Sequence, residues 1–487
     1  MLLASLGLLA SCSNDNLEGP NPNVGTKGDA YFSLKVVENQ GVRTTTPNTN
    51  DPEGATGDEA TIKNVTLLLV NGSNSPFVIT SSSFANGVAT FKVAKSDFGK
   101  LASEMKMYAI CNIPQGKSYS DFTTASDIQK VVKYDNDDQT YWNSTNGFLM
   151  SSAEEATSNP IDLIGINGGK YQDGKEVFDL GKVTVQRAMA RLDLNGSQPE
   201  ADENFDVEGI NITFDGVSIV NISKEFNLFK SVDGKLFESE TATNYVDDPK
   251  TEWNANTLHN YVNGSTAVAD LYKAKGMAWP TATDDYETLR YTTPNTVTAK
   301  EQQKNGKSTG LIFKALIEAE DDLNTDDGED LLFYYGTLVG GHKYITNTLK
   351  NGTAEQKTIA NVYEKALGTN ALKSDAARTA LRNAGFEVYP ADDEGNYYCY
   401  YNYWIRHNGI GTFGDGQMHP MEFGVVRNNI YKITVNSYKK LGNPADIKPN
   451  PNTDDDPPTT PGSVDNANLK VTVEVLPWEV REDKIEF

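Results

Sequence analysis

The sequence predicts an all-β protein with a few inserted helices, arranged as two tandem β-sandwich domains. Three observations carry that expectation. Alternating apolar segments of strand length recur from one end of the chain to the other, with clusters of Asn, Gly, Ser and Asp between them. With 487 residues the chain is too long for one ordinary domain. With 38% hydrophobic residues, among them 23 Tyr and 19 Phe, it can fill substantial cores.

The first strand is Ala30 to Val37 (AYFSLKVV), in which Phe32, Leu34 and Val36 share one face. Ile62 to Val70, Val88 to Val93 and Met105 to Cys111 follow. Lys182 to Leu194 begins as a strand, and Gly196 and Pro199 then break the pattern. The domain boundary is therefore expected near Asn195 to Gln198, with 44–195 in the N-terminal sandwich and 196–441 in the C-terminal one. The second set of strands comprises Ile210 to Phe214, Val217 to Ile222, Leu311 to Ile317, Leu331 to Val339, Tyr397 to Ile405 and Val425 to Val435.

The clearest helix is Thr353 to Leu367. Its residues Ile359, Val362, Tyr363, Ala366 and Leu367 form one apolar stripe. Asn351 or Thr353 suits its start and Gly368 its end. A second helix is expected from Ser374 to Ala384, closed by Gly385. Both read as insertions on a sheet framework.

Charge narrows the function. Lys plus Arg number 43 against 67 Asp plus Glu, a formal net charge of -24. Such a surface repels phosphate backbones and argues against a nucleic-acid partner. There are three cysteines, Cys12, Cys111 and Cys399. If Cys12 has another role, a disulfide between the other two is open, but cores of this size do not demand one.

No catalytic constellation emerges, and the chain is not expected to be an enzyme or to need a cofactor or metal. The four histidines (His259, His342, His407 and His419) do not pair at helical spacing and read as loop or surface residues. Gly306-Lys307-Ser308 ends like a phosphate loop, but Glu301 stands where that loop needs glycine. Asp322 to Asp326 starts like a calcium loop. Asp327 then replaces the turn glycine and Phe333 the final carboxylate, so a solvated acidic turn is the simpler reading. The aromatic run Tyr397 to Trp404 suits either a sugar-stacking platform, which would make this a surface glycan-binding lipoprotein, or a sheet whose rings fill the core.

The N-terminus reads as an address. Leu2 to Leu9 is a short apolar run, too short to span a membrane, followed by Ala10, Ser11 and Cys12. Leu9-Ala10-Ser11-Cys12 resembles a lipobox, which makes 1–12 a signal segment and Cys12 the lipidated residue. No Lys or Arg precedes the run, so a basic region is expected upstream. The polar stretch after Cys12 reads as a tether.

The two ends match each other. Arg43 is the first arginine of the chain and lies in a polar, loop-like stretch just after the first strand. A trypsin-like protease cutting between Arg43 and Thr44 would release the tether and the strand together, making 13–43 a propeptide. At the far end, 442–468 holds six prolines among many Asp and Asn residues. It reads as an extended linker, and about 25 residues at roughly 3.1 Å each reach on the order of 70 Å. Beyond it, 469–487 begins with a strand that puts Leu469, Val471, Val473 and Val475 on one face. A sandwich that loses a strand exposes an apolar groove and unpaired backbone, which a strand of the same period can fill. Done head to tail, this builds an open fibre. The alternative is that both segments are ordinary terminal strands of their own domains.

Several motifs resemble the fimbrillins that build type V pili, with the likeness greatest to the major subunit of the short fimbriae. They include the lipobox, the strand followed by Arg43, Phe148-Leu149-Met150-Ser151-Ser152 and Arg187-Ala188-Met189-Ala190-Arg191. Towards the C-terminus they include Cys399-Tyr400-Tyr401, Tyr403 to His407, Met421 to Lys432, and Val473-Glu474-Val475-Leu476-Pro477-Trp478. The resemblance implies two transthyretin-like sandwiches plus a C-terminal donor strand. It also implies export to the outer membrane as a lipoprotein and cleavage after Arg43 by an arginine-specific surface protease. Copies of the chain would polymerise with one another by donor-strand exchange, alongside minor fimbrial subunits and an anchor subunit.

Overall fold

The computed structural model describes residues 29–38, 53–54, 57–72, 74–114, 131–133, 141–169, 177–203, 205, 207, 209–238, 246–248, 253–297, 303–319, 325, 328–407, 421–448 and 469–479. Among these the protein is mostly β-sheet with a few short helices.

The N-terminal sheet has the strand order Phe77–Thr80, Val65–Val70, Lys106–Cys111, Met150–Ser152, Val177–Arg187, Ala30–Glu38, Val88–Val93, Ser83–Ala85. It curls until Phe77–Thr80 comes against Val88–Val93. One core fills the curl, drawing on Phe32 and Leu34 of the first strand, Leu67 and Leu69, Phe91, Ile110, Met150 and Val185.

The C-terminal half is a sandwich of two sheets. One has the order Glu53–Gly54, Leu469–Glu479, Asn429–Tyr438, Ala190–Asn195, Tyr286–Thr292. The other runs Met277–Ala278, Ile210–Val220, Gly310–Ala319, Tyr398–Trp404, Asn443–Pro444. Leu192, Leu194 and Ile433 of the first meet Phe214, Phe313 and Tyr401 of the second in one core.

The change of sheet comes at Ala188–Met189, ahead of the boundary expected after Asn195. Val177–Arg187 pairs in the N-terminal sheet and Ala190–Asn195 in the C-terminal one, although the sequence reads as a single strand. The two residues between them switch neighbours. Ala188 N–H donates to Leu149 O at 3.0 Å, and Met189 O accepts from Asn428 N–H at 2.8 Å.

Three other readings change in detail. Ile210–Val220 is one strand, not two, because Asp215-Gly216 forms a bulge instead of a turn. Leu331 to Val339 is a hairpin, Leu331–Tyr334 and Thr337–Gly340, turning at Tyr335 (φ 47°) and Gly336 (φ 79°). Val425 to Val435 divides into Gly424–Val425 and Asn429–Tyr438, with Asn428 at φ 56° between them.

The helices are insertions, as expected. Ala354–Leu367 starts at a Thr353–Gln356 capping box and ends at Gly368, and Asp375–Asn383 is capped by Ser374. With the helix His342–Asn347 and a three-stranded sheet they enclose a separate small core around Ile345, Tyr363 and Leu381. This unit lies between Gly310–Ala319 and Tyr398–Trp404, two strands that are neighbours in the sheet. A further helix, Val268–Lys275, covers the outer face of that sheet.

Candidate functional site

The residues singled out at the two ends fare differently. Cys12, Arg43 and Thr44 lie outside the described residues, as does most of 442–468. The two terminal strands are placed.

Ala30–Glu38 sits inside the N-terminal sheet with a long neighbour on each side. It runs parallel to Val177–Arg187 and antiparallel to Val88–Val93. Phe32 lies opposite Phe91 and against the Phe178 ring at 5.8 Å. Phe32 and Leu34 are 0% exposed and Val36 is 5% exposed, so the alternation read from the sequence is the core-facing side. Burying each such side chain is worth roughly 1.5–3 kcal/mol. Without this strand the sheet would have a slot with an apolar floor and two rows of unpaired backbone groups.

An ion pair lies near each end. At the start, Lys92 Nζ meets the Asp29 carboxylate at 3.0 Å. At the finish, Arg187 Nη2 meets the Glu38 carboxylate at 2.7 Å, and the arginine is 1% exposed. Burial pushes the Glu38 carboxyl up to about 7 against the pull of the guanidinium. The same burial draws Arg187 down. Both partners thus carry a desolvation cost that their attraction only partly offsets.

Leu469–Glu479 lies in the other half of the molecule. It pairs antiparallel with Asn429–Tyr438 of its own chain, with Val473 opposite Ile433 and Val471 opposite Val435. Leu469 is 5% and Val473 7% exposed in the C-terminal core, and Val471 packs against it half-buried. Lys470 and Thr472 are exposed, and Thr472 Oγ1 accepts from Asn436 Nδ2 at 2.8 Å. Val475 lies opposite Tyr431 in the ladder, and its side chain is outside the described set. Among the described residues, this strand has on its far side only Glu53–Gly54, paired in parallel with Trp478 and Glu479. It is close to an edge strand, whereas Ala30–Glu38 is central. The two lie in different sheets.

The sequence reading missed an ionic cluster around Glu59, in the turn Gly57–Ala60. Its carboxylate accepts from Arg191 Nη1 at 3.2 Å and from the Tyr291 hydroxyl at 2.6 Å. Its carbonyl accepts from Arg187 Nε at 3.0 Å and Nη2 at 2.8 Å. Arg191 also donates to Asp193, which accepts from the Thr288 hydroxyl. The spacing Arg187-x-x-x-Arg191 stands out as a motif, but nothing in it names Glu59 as the shared partner.

The aromatic run is taken up by packing. Tyr397, Cys399 and Tyr401 face the sandwich core, and Tyr400 and Trp404 lie under the helix Val268–Lys275. Tyr398 is half-buried beneath Lys314 Nζ, 3.5 Å from the ring centre. Cys111 and Cys399 sit in separate cores without forming a disulfide, and burial pushes the Cys399 thiol up to about 12. Of the histidines, His407 is buried against expectation, its Nδ1 2.8 Å from the Tyr431 hydroxyl. Among the described residues no group of His, Cys, Asp and Glu is arranged to hold a metal.

Known proteins align with both ends. Residues 30–184 match the family profile of the major fimbrial subunit protein FimA. Residues 395–484 match that of the major fimbrial subunit protein type IV, fimbrillin, C-terminal. The major fimbrium subunit FimA type-4 of Porphyromonas gingivalis is 32% identical over 145 residues, 29% of this chain and 32% of that protein. The match therefore spans about a third of the relative's length. A solved candidate cell adhesion protein from Parabacteroides distasonis aligns over 94% of this chain and 99% of its own, at 14% identity and a TM-score of 0.45. A fimbrilin FimA structure from P. gingivalis gives 94%, 99%, 13% and 0.43 for the same quantities. With fimbrillin profiles matched at both ends, together over about half of its length, the chain belongs to the Bacteroidales-type fimbrillins.

Proposed function

We propose that this fimbrillin is a structural subunit of a bacterial surface fimbria. It is exported through the periplasm to the outer membrane as a lipoprotein precursor anchored at Cys12. An arginine-specific surface protease cuts after Arg43, and copies of the chain then polymerise by donor-strand exchange. The fibre, completed by minor and anchor subunits, serves adhesion or biofilm formation. A full-length C-terminal strand suits a stalk position.

The observation that carries this reading is the place of Ala30–Glu38. It is a central strand of the N-terminal sheet, yet it precedes Arg43 by only a few residues. Cutting there removes a core element and leaves a slot that has to be refilled. Leu469–Glu479 has the matching alternation, a single long neighbour at home, and a proline-rich linker behind it. The strand would leave its own sheet edge for the slot of the next subunit. The burial of the aromatic run supports a structural role over a sugar platform.

Electron microscopy of cells with and without the gene tests the reading. Fibres that persist at normal density without the gene would end it.

A further inference from the structure

Two strands that lie in different sheets each hold one of two stretches close together in the sequence. Residues 53–54 pair with Trp478 and Glu479 of the C-terminal strand. Glu59 is gripped by Arg187, and Arg187 is in turn held by Glu38, the last residue of the first strand. Arg191 and Tyr291 bind the same Glu59 from Ala190–Asn195 and Tyr286–Thr292. Ala190–Asn195 is the parallel neighbour of Asn429–Tyr438, on which the C-terminal strand rests. In the sequence, 53–54 and 57–60 are the first described residues after Arg43.

We propose that residues 53–54 and 57–60 couple the two strands, so that the first strand, through Glu38, Arg187 and Glu59, helps keep the C-terminal strand on its own subunit until cleavage. The physical sequence is short. Loss of the first strand takes Glu38 away and opens Arg187, now 1% exposed, to water. Water then competes for a guanidinium that had only protein partners on that side, and its hold on the Glu59 carbonyl weakens. The turn Gly57–Ala60 loosens, and with it the pairing of Glu53–Gly54 on the outer edge of the C-terminal strand. That strand is left with a single ladder and can depart for the slot of a second copy. The same event that opens a slot would thereby release a strand to fill one. The purpose of this device rests on the strand-exchange reading, but the coupling itself is a property of a single subunit.

Coupling between sites is reciprocal, which makes the test two-sided. Hydrogen exchange is followed by mass spectrometry on dilute, monomeric protein in four forms. These are the intact precursor, the subunit isolated after cleavage, the precursor carrying Glu59→Gln, and the precursor lacking Leu469–Phe487. Cleavage should lower protection of 469–479 by roughly tenfold, within the usual range of coupling between sites. Glu59→Gln keeps the shape of the side chain, so the fold is retained, but it removes the charge that Arg191 and the Tyr291 hydroxyl hold, which loosens the turn Gly57–Ala60. It should lower protection of 469–479 before any cut and blunt the effect of the cut. Removal of Leu469–Phe487 should lower protection of 30–38 by a comparable factor. Unchanged exchange of 469–479 on cleavage, or a Glu59→Gln precursor that responds like the wild type, would overturn the coupling. Fibres formed by the chain lacking Leu469–Phe487 would instead overturn strand exchange, without bearing on the exchange rates of monomers.

Discussion

Val473 of the C-terminal strand lies opposite Ile433 of the same chain, 7% exposed in the C-terminal core. The strand thus has a home in its own subunit before it has one elsewhere. That home has one long neighbour, whereas the slot vacated by Ala30–Glu38 would offer two, Val177–Arg187 and Val88–Val93. If the strands exchange as proposed, the additional long ladder gives the exchange a direction, since backbone groups along the strand would be paired with a long neighbour on both sides in the slot.

Val473→Asp should prevent assembly while leaving a folded body that is still cut. A buried carboxylate without a partner costs several kcal/mol in either location. At home the cost is limited, because an edge strand can detach. In the slot nothing else fills the core. Thr472→Asp, on the exposed side, should be tolerated. The readout is a heat-limited gel ladder of surface protein, with circular dichroism as the folding control. Equal ladders from the two variants would remove the case for facial insertion.

Arg43→Ala should yield an intact, monomeric precursor at the cell surface, because the first strand still occupies its slot. Normal yields of fibre from this variant would show that cleavage is not the trigger. Cys12→Ala should stop earlier, leaving unlipidated precursor short of the outer membrane. A fatty-acid label that still marks this variant would assign the lipid elsewhere.

Much of the fold was legible because it rests on period. The alternation of Phe32, Leu34 and Val36 and the stripe of the helix Ala354–Leu367 each record which face meets a core. What the sequence hid are places where a residue type says one thing and its surroundings require another. Asp215-Gly216 reads as a turn, but a side chain at Gly216 would meet the Tyr272 hydroxyl at 2.0 Å and the Met277 carbonyl oxygen at 2.9 Å. The glycine is there for close approach within a bulged strand. Tyr335-Gly336 reads as strand because tyrosine favours strands, yet both residues take positive φ in a tight turn. The chain crosses between sheets at Ala188–Met189 with no turn residue at all. Glu59 gave no sign either, because its partners come from 128 and 132 positions away.

The precursor should become less stable as pH rises from about 5 to 8. Glu38 has an ordinary carboxylate value of 4.5, raised to about 7 in the folded chain mainly by burial. The folded state therefore binds the proton more tightly than the unfolded one. Its contribution is fully present below about 4.5 and is lost as pH rises through about 7. Each tenfold difference in proton affinity between the two states is worth about 1.4 kcal/mol, so the slope is measurable. Thermal melts across this range on wild type and Glu38→Gln decide the matter. The variant should show the flatter profile, and parallel profiles would assign the slope to other groups.

The last prediction separates the precursor from the fibre. Phe32 fills the N-terminal core opposite Phe91 and edge-on to Phe178. Replacing a fully buried phenylalanine with alanine typically costs about 3–5 kcal/mol, from lost transfer energy and the cavity left behind. In the intact precursor Phe32→Ala should lower stability by about that amount. If the strand is discarded at activation, the cost goes with it. The cleaved subunit then contains no residue 32, and its fibres should match the wild type in ladder length and in heat resistance. Val473→Asp has the opposite pattern, sparing most of the precursor and abolishing the fibre. Denaturant melts of uncut Phe32→Ala precursor, compared with heat dissociation of fibres from the same strain, give the two numbers side by side. Fibres of Phe32→Ala that dissociate as much more readily as the precursor unfolds would show that the first strand stays in the mature subunit, and the exchange reading would fall with it.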